Sequence, residues 1–145
     1  MVNLRVLRDI EPVLNEQREN GVEIRRAKPD ESDVVAEWVR ENINPTWGVV
    51  CEVTIEQTPP TCFIAYQKKS VGEEIKLSLE NMLGFACYDV VTKCVFGPSG
   101  VREDQEEIGL SAALMISCLH AMAEEDCTQA TIGWASTTES YAGRM

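Results

Sequence analysis

The sequence predicts an α+β (α/β) fold in which helices pack on a mixed sheet. Residues 82–91, MLGFACYDVV, are almost all apolar, as in a strand that is buried on both faces. Residues 107–124 carry apolar side chains around most of a helical surface, which predicts a largely buried helix. A strand pattern follows at residues 128–134, and this order is typical of helices packed on a sheet. A chain of 145 residues is long enough to bury one core.

The N-terminal residues are predicted to form a helical extension over residues 1–21. Its apolar side chains recur at near-helical spacing, and Gly21 would end the helix. These apolar positions are Leu4, Leu7, Ile10, Val13 and Leu14. We expect this face to pack on the domain or on a neighbouring copy. The main domain is predicted for residues 22–145 and begins with a strand, VEIRRAK, at residues 22–28.

Two helices are predicted after this strand. Pro29-Asp30 opens the first helix, because proline is favoured at the first helical position. Its buried face would comprise Val34, Val35, Trp38 and Val39. The second helix is predicted within residues 44–60, with a break at Gly48. The β-branched residues of this segment also fit a strand.

The next segments are predicted to complete the sheet. Residues 62–66, CFIAY, indicate a short strand, and the polar residues 67–81 indicate a loop with some local helix. Residues 93–101, KCVFGPSGV, predict a strand that is interrupted at Gly97-Pro98. Proline donates no hydrogen bond to a neighbouring strand, so this pair predicts a bulge or a splayed end.

The net charge limits the partners of this chain. Its 13 Lys and Arg residues against 24 Asp and Glu residues give a charge of −11. This charge disfavours non-specific binding to nucleic acids or anionic membranes, and it favours a cationic or amine-bearing partner. No apolar run approaches the roughly 20 residues that span a bilayer. The N-terminus does not resemble a signal peptide.

The cysteines predict reduced thiols in a cytoplasmic protein rather than a disulfide framework. They form no C-x-x-C pair, and most lie in apolar segments, where cysteine behaves as a small hydrophobic residue. They are Cys51, Cys62, Cys87, Cys94, Cys118 and Cys127. A zinc site is not expected, because His120 is the only histidine and the cysteine spacings indicate no ligand set.

The stretches LGFACYD, FGPSGV, GLSAALMISCLHAMAEE, ATIGWA and ESY resemble the GCN5-related N-acetyltransferase (GNAT) family. The resemblance runs from about Val22 to the C-terminus. It implies a mixed, mainly antiparallel sheet flanked by helices, with the bulged strand near Gly97-Pro98. It also implies an acyl-CoA-dependent N-acyltransferase that transfers an acetyl group from acetyl-CoA to an amine by direct attack in a ternary complex.

The resemblance implies a binding site for the CoA pyrophosphate at the start of the long helix. The family motif, Arg/Gln-x-x-Gly-x-Gly/Ala, falls on residues 106–111, with Gly109 at its central glycine. Glu106 stands where the family has its arginine, and Glu107 stands on a glycine position of the longer motif. The cofactor-binding residues implied are Val101, Glu106, Glu107, Ile108, Gly109, Leu110 and Ser111. The two carboxylates are expected to weaken CoA binding, since they oppose a phosphate charge.

The resemblance also implies catalytic roles. Tyr141, in the segment ESY, matches the tyrosine that protonates the leaving CoA thiolate, although its ring could instead pack on the sheet. No general base is evident, and a chain of water molecules could serve. The side chains considered for this role are Tyr88, Asp89 and Glu139, each with a structural role as the favoured interpretation.

His120 and Trp47 are two further candidates for the site. His120 is expected to be a packed or edge residue of the apolar helix. Trp47 could line the acceptor pocket, but a role in the core or in a lid is favoured.

The family has two further strands after the tyrosine segment, and this chain is expected to lack them. The edge of the sheet would then be covered by the N-terminal segment or by a second subunit in a homo-oligomer. The acceptor is expected to be a small-molecule or peptide amine. An alternative function is a catalytically degenerate GNAT-like domain that acts as an interaction or oligomerisation module. An unrelated small α+β binding domain is the third interpretation.

Overall fold

In the part of the chain that the structure describes, a six-stranded sheet with helices on both faces forms the framework. The computed structural model describes residues 2–4, 7, 9–68, 77–90, 92–102 and 109–132. The strands are β1 (Val2–Asn3), β2 (Val22–Arg26), β3 (Cys62–Gln67), β4 (Met82–Tyr88), β5 (Val95–Val101) and β6 (Gln129–Ile132). The helices are α1 (Ile10–Glu19), α2 (Ser32–Asn42), α3 (Pro45–Ile55) and α4 (Leu110–Glu124), with a 3₁₀ turn at Pro29–Glu31 before α2.

The strand order β1-β6-β5-β4-β3-β2 confirms the predicted α+β fold. Every neighbouring pair is antiparallel except β5 and β6, which are parallel. A parallel pair needs a crossover connection, and α4 supplies it. None of the described helices has both the length and the apolar character that crossing a bilayer requires.

The predicted bulge lies in β5. Ala86 pairs with Ser99 and Tyr88 pairs with Phe96, so two residues of β5, Gly97 and Pro98, oppose a single residue of β4. Gly97 has a φ of 112°, a backbone conformation that glycine adopts readily. The bulge prediction is therefore confirmed at Gly97-Pro98.

The N-terminal segment contains a strand as well as the predicted helix. β1 pairs antiparallel with β6, with Val2 opposite Ala130, and the N–H of Leu4 donates to the carbonyl of Thr128 at 2.9 Å. Within the helical extension predicted for residues 1–21, the structure has the strand β1 at Val2–Asn3 and the helix α1 at Ile10–Glu19. The N-terminal segment thus covers the edge of β6, which is one of the two coverings expected from the sequence.

Each face of the sheet carries its own hydrophobic core. α2 and α3 cover one face, where Trp38, Ile55 and Phe85 are buried. α4 and α1 cover the other face, where Leu114 and Met122 of α4 are buried against the sheet. The nearly continuous apolar sequence of β4 follows from this arrangement, since both of its faces contact helices.

Gly48 does not break the second predicted helix. α3 is continuous from Pro45 to Ile55, and it is capped by the Asn44 side chain, which accepts from the N–H of Thr46. A Cβ atom at Gly48 would lie 2.6 Å from Cγ of Arg40 and 2.9 Å from the carbonyl oxygen of Ala36. Glycine is therefore needed for the close approach of α2 and α3, and the predicted break is wrong.

A disulfide joins Cys94 to Cys127, so the expectation of six reduced thiols is wrong for this pair. Cys94 directly precedes β5 and Cys127 lies before β6, and the parallel pairing of these strands brings their starting ends together. The N–H of Thr131 donates to the carbonyl of Cys94 at 3.0 Å. The other four cysteines are free and buried.

Candidate acyl-CoA site

β5 lies between β4 and β6. Its residues alternate between hydrogen-bonded and non-hydrogen-bonded pairs with β4, and the residues of the non-hydrogen-bonded pairs direct their backbone groups toward the β6 side. The N–H of Arg102 donates to the carbonyl of Leu83 at 2.9 Å, so Gly84 and Val101 form a non-hydrogen-bonded pair. Ser99, two residues earlier, lies in the same kind of pair. The N–H and C=O groups of Ser99 and Val101 therefore point away from β4, toward the side of β5 on which β6 lies.

Pairing between β5 and β6 is found at the beginning of β5. Over the residues that the structure describes, it consists of Val95 with Thr131 and Phe96 with Ile132. Ser99 and Val101 lie beyond these pairs, on the far side of the bulge. An extended ligand with amide groups can bind such strand-edge groups in the way that an added strand does.

Three of the predicted cofactor-binding residues lie at the start of α4. Gly109 is exposed and has a φ of 73°, and its carbonyl accepts the first helical hydrogen bond, from Ala113, at 3.0 Å. Among the residues that the structure describes, none lies within 4 Å of where a Cβ atom of Gly109 would be. Leu110 is buried in the core and Ser111 is half-buried. The backbone at this helix start, rather than the Leu110 side chain, is what could contact an anion.

Several predicted site residues fall outside the described residues. They are Glu106, Glu107, Ile108, Glu139 and Tyr141. Their assignments stay predictions.

The connection between α2 and α3 packs against β5 beside the bulge. A Cβ atom at Gly100 would lie 2.8 Å from Cδ1 of Ile43, which shows how closely this connection approaches the strand. Trp47, in the first turn of α3, is half-buried and packs against the core under α2 and α3. The helices therefore form a wall next to the strand edge of Ser99 and Val101.

The two described candidates for the general base have structural contacts. The hydroxyl of Tyr88 accepts from Nη1 of Arg26 at 2.6 Å and donates to Oε2 of Glu125 at 2.5 Å. Burial and the bond to Glu125 raise the pKa of Tyr88 above its usual value, against the opposing effect of Arg26. A tyrosine that holds its proton this firmly is a poor base.

Asp89 stabilises the turn between β4 and β5. Its carboxylate accepts from the N–H of Cys94 at 2.7 Å and lies 3.5 Å from Nζ of Lys93. The structural interpretation favoured from the sequence is therefore supported for Asp89 as well as for Tyr88.

A cavity of about 210 Å³ lies between α1, α4 and the sheet. Its lining includes Arg26, His120 and Glu124 among apolar side chains such as Phe63. The guanidinium of Arg26 lies 5.0 Å from the centre of the Phe63 ring. The sequence did not point to this cavity, because its walls come from segments far apart in the chain.

Three cysteines form a buried cluster that the sequence also did not indicate. The sulfurs of Cys51, Cys62 and Cys87 all lie within 4.8 Å of one another. Burial acts to raise the pKa of the Cys87 thiol, whereas hydrogen bonding with the Cys51, Cys62 and Thr54 side chains lowers it below its usual value. The register of β3 on β4 places Cys62 opposite Cys87, and the packing of α3 on the sheet adds Cys51. The cysteine spacings show neither contact.

Comparison with solved structures identifies the fold. A GCN5-related glucosamine N-acetyltransferase region of a fungal multi-domain GH3 β-N-acetylglucosaminidase superposes with a TM-score of 0.69 over 98% of this chain, at 11% identity. A Pyrococcus horikoshii protein assigned as an acetyltransferase superposes with a TM-score of 0.53 over 84% of this chain, at 16% identity.

This chain spans 18% of the fungal protein and 41% of the archaeal one. No family model matches the sequence, and no curated protein matches it. The likeness is one of structure: the chain has the GNAT-like fold that its sequence motifs predicted.

Proposed function

We propose that this domain is an acyl-CoA-dependent N-acetyltransferase. The observation that carries the proposal is the bulge in β5, beyond which Ser99 and Val101 direct backbone groups toward the β6 side. In this proposal the amides of the CoA pantetheine arm bind these groups. The pyrophosphate binds at the start of α4, where no described residue approaches the Cβ position of Gly109. Acetyl-CoA is thus the proposed co-substrate.

The proposed reaction is direct attack by an amine on the thioester. The amine nitrogen forms a bond to the acetyl carbon, and the carbon–sulfur bond of acetyl-CoA breaks. The attacking nitrogen loses a proton to a base or to water, and the CoA thiolate takes a proton from Tyr141. A phenol with a pKa near 10 can protonate a thiolate of pKa near 8.5 when the two are close, so positioning decides its efficiency.

The proposed acceptor is a small-molecule or peptide amine. The charge of −11 favours a substrate that is cationic before it reacts. One structural neighbour is described as a glucosamine N-acetyltransferase region, which makes an amino sugar the first acceptor to test. The wall formed by Ile43 and Trp47 is proposed to line the acceptor side, beside Gly100 of β5.

The competing function is a degenerate GNAT-like domain that serves as an interaction module. Glu106 and Glu107 favour it, because a carboxylate about 6 Å from a phosphate charge costs roughly 2–3 kcal/mol at an effective dielectric near 20. Acidic residues that shortly precede a helix in the sequence, as Glu106 and Glu107 precede α4, can also interact favourably with the helix dipole without any ligand.

Homo-oligomerisation and a cytoplasmic location stay predictions. β1 already covers the β6 edge in a single chain, so an oligomer is not required for that purpose. The disulfide between Cys94 and Cys127 would be uncommon in a reducing compartment.

Replacing Tyr141 tests the proposed chemistry. We expect Tyr141→Phe to lower kcat by about a hundredfold or more, because the leaving thiolate loses its proton donor, with acetyl-CoA affinity nearly unchanged. Release of CoA with glucosamine or a lysine peptide as acceptor measures turnover, and calorimetry measures affinity. Equal turnover in the variant would remove Tyr141 from the mechanism.

A further inference from the structure

The buried cysteine cluster joins three elements of the fold. Cys51 lies in α3, Cys62 is the first residue of β3, and Cys87 lies in β4. Cys62 and Cys87 are directly opposite each other on neighbouring strands. The N–H of Tyr88 donates to the carbonyl of Thr61, so this is a non-hydrogen-bonded pair, in which the two side chains approach most closely.

The three sulfurs have the spacing of a metal site. All lie within 4.8 Å of one another, and none of the three residues is exposed to solvent. Three sulfurs bound to one ion in a plane, with bonds of about 2.3 Å, would lie about 4 Å apart. Closing around an ion therefore requires shifts of less than about 1 Å.

We propose that Cys51, Cys62 and Cys87 form a binding site for a soft monovalent metal ion of the copper(I) class. Thiolate sulfur selects such ions over harder ones. Each sulfur that binds as a thiolate gives up its S–H proton to solvent, and the copper stays in the +1 state. The proposal does not depend on acyl transfer.

The ligand set distinguishes copper(I) from zinc. Structural zinc takes four ligands in a tetrahedron. Among the residues that the structure describes, no histidine, carboxylate or further cysteine joins the three sulfurs. The nearest oxygen partner is Oγ1 of Thr54, which lies 3.5 Å from the sulfur of Cys87 and also donates to the carbonyl of Cys51. Three-coordinate copper(I) needs no fourth ligand, and it fits this dry site better.

The role of such a site would be to fasten α3 to the sheet. The ion would link one helix to two strands, and α3 also carries Trp47 of the wall beside β5. A ligand that binds only the folded state stabilises it, so copper(I) should raise the Tm of the protein.

The test is copper binding by the full chain and by two matched variants. Cys51 and Cys118 are both free, fully buried cysteines in helices, but Cys118 lies in α4 on the other face of the sheet. Copper(I) is added anaerobically, without a thiol reductant so that the disulfide persists. It is added both to folded protein and to protein refolding from urea, so that slow entry cannot conceal binding. Retained copper is then measured after gel filtration.

We expect the wild-type protein and Cys118→Ala to retain one copper per chain with a raised Tm, and Cys51→Ala to retain none. X-ray absorption of the wild-type complex should show only sulfur neighbours, which tests the site even if a variant fails to fold. The proposal is overturned if the wild type retains no copper, if Cys51→Ala retains as much as Cys118→Ala, or if the copper neighbours are nitrogen or oxygen.

Discussion

At the scale of single residues, the network of Arg26, Tyr88 and Glu125 ties β2, β4 and the end of α4 together. Tyr88 is fully buried, and its hydroxyl bridges a cation and a carboxylate. Nη1 of Arg26 also donates to the carbonyl of Pro60 at 2.6 Å. Removing the bridging hydroxyl would leave two charged, partly buried partners with an incomplete set of hydrogen bonds, which is costly.

We therefore predict that Tyr88→Phe lowers the free energy of unfolding by about 1–3 kcal/mol at neutral pH. The pKa of Tyr88 is raised in the folded state, so its stabilising effect is fully present below about pH 10, the pKa of an unfolded tyrosine. It is lost as the pH rises above that value. Urea unfolding from pH 7 to pH 11 measures the free energy of unfolding of both proteins. The difference in this free energy between wild type and variant should become smaller above pH 10. A constant difference would contradict the assigned network.

Substitutions of Gly109 test whether glycine is needed at the start of α4 for its backbone conformation alone. Its φ of 73° is unfavourable for residues with a Cβ atom, whereas no described residue would clash with that atom. We predict that Gly109→Ala destabilises the protein by about 1–2 kcal/mol. Gly109→Asn should cost less, because asparagine tolerates this conformation better. Equal unfolding midpoints in urea for the Ala and Asn variants would refute this reason for glycine.

At the scale of elements, the packing of the α2–α3 connection against β5 forms one wall of the candidate site. Ile43 fills the space in front of Gly100, with three of its side-chain carbons 2.8–3.1 Å from where a Cβ atom would lie. A Cβ atom there must displace either the connection or the strand.

We predict that Gly100→Ala destabilises the protein by about 1–3 kcal/mol, and that most of this cost disappears when Ile43 is also replaced by alanine. Unfolding free energies of the wild type, the two single variants and the double variant give the coupling directly. Additive effects would show that the connection does not press on β5 at this point.

Elements with a strong local pattern were predictable from the sequence. The apolar run of β4 and the proline in β5 fixed a buried strand and a bulge, and the apolar surface of α4 identified the crossover helix. The continuous α3 was not predictable at Gly48, because the reason for glycine there is its contact with Arg40 of another helix. β1 is only two residues long, which is too short for any alternation to appear.

The side-chain groupings were less predictable than the elements. Cys62 and Cys87 meet through strand register, and Cys94 meets Cys127 through the parallel pairing of β5 and β6. The spacing of the cysteines along the chain predicts neither of these contacts. The backbone part of the candidate site was predictable, since the bulge and Gly109 belong to a motif that is contiguous in the chain.

At the scale of the whole molecule, the N-terminal segment adds a strand to the sheet. β1 adds an antiparallel strand beside β6, and α1 packs on the same face as α4. A sheet edge covered in this way presents fewer unpaired backbone groups to other chains. The fold is GNAT-like, and the proposed function requires acetyl-CoA to bind at the α4 end of β5.

The most direct test is a calorimetric titration of acetyl-CoA into the purified chain, with Glu106→Arg as the paired variant. We predict saturable one-to-one binding by the wild type. Binding should be at least about tenfold tighter in Glu106→Arg, because a phosphate then faces a cation in place of a carboxylate. Desulfo-CoA should bind comparably, since the pyrophosphate and pantetheine contacts are kept. The absence of binding heat at millimolar acetyl-CoA in both proteins would contradict the proposed acetyltransferase function. The interaction-module function would then be the better explanation.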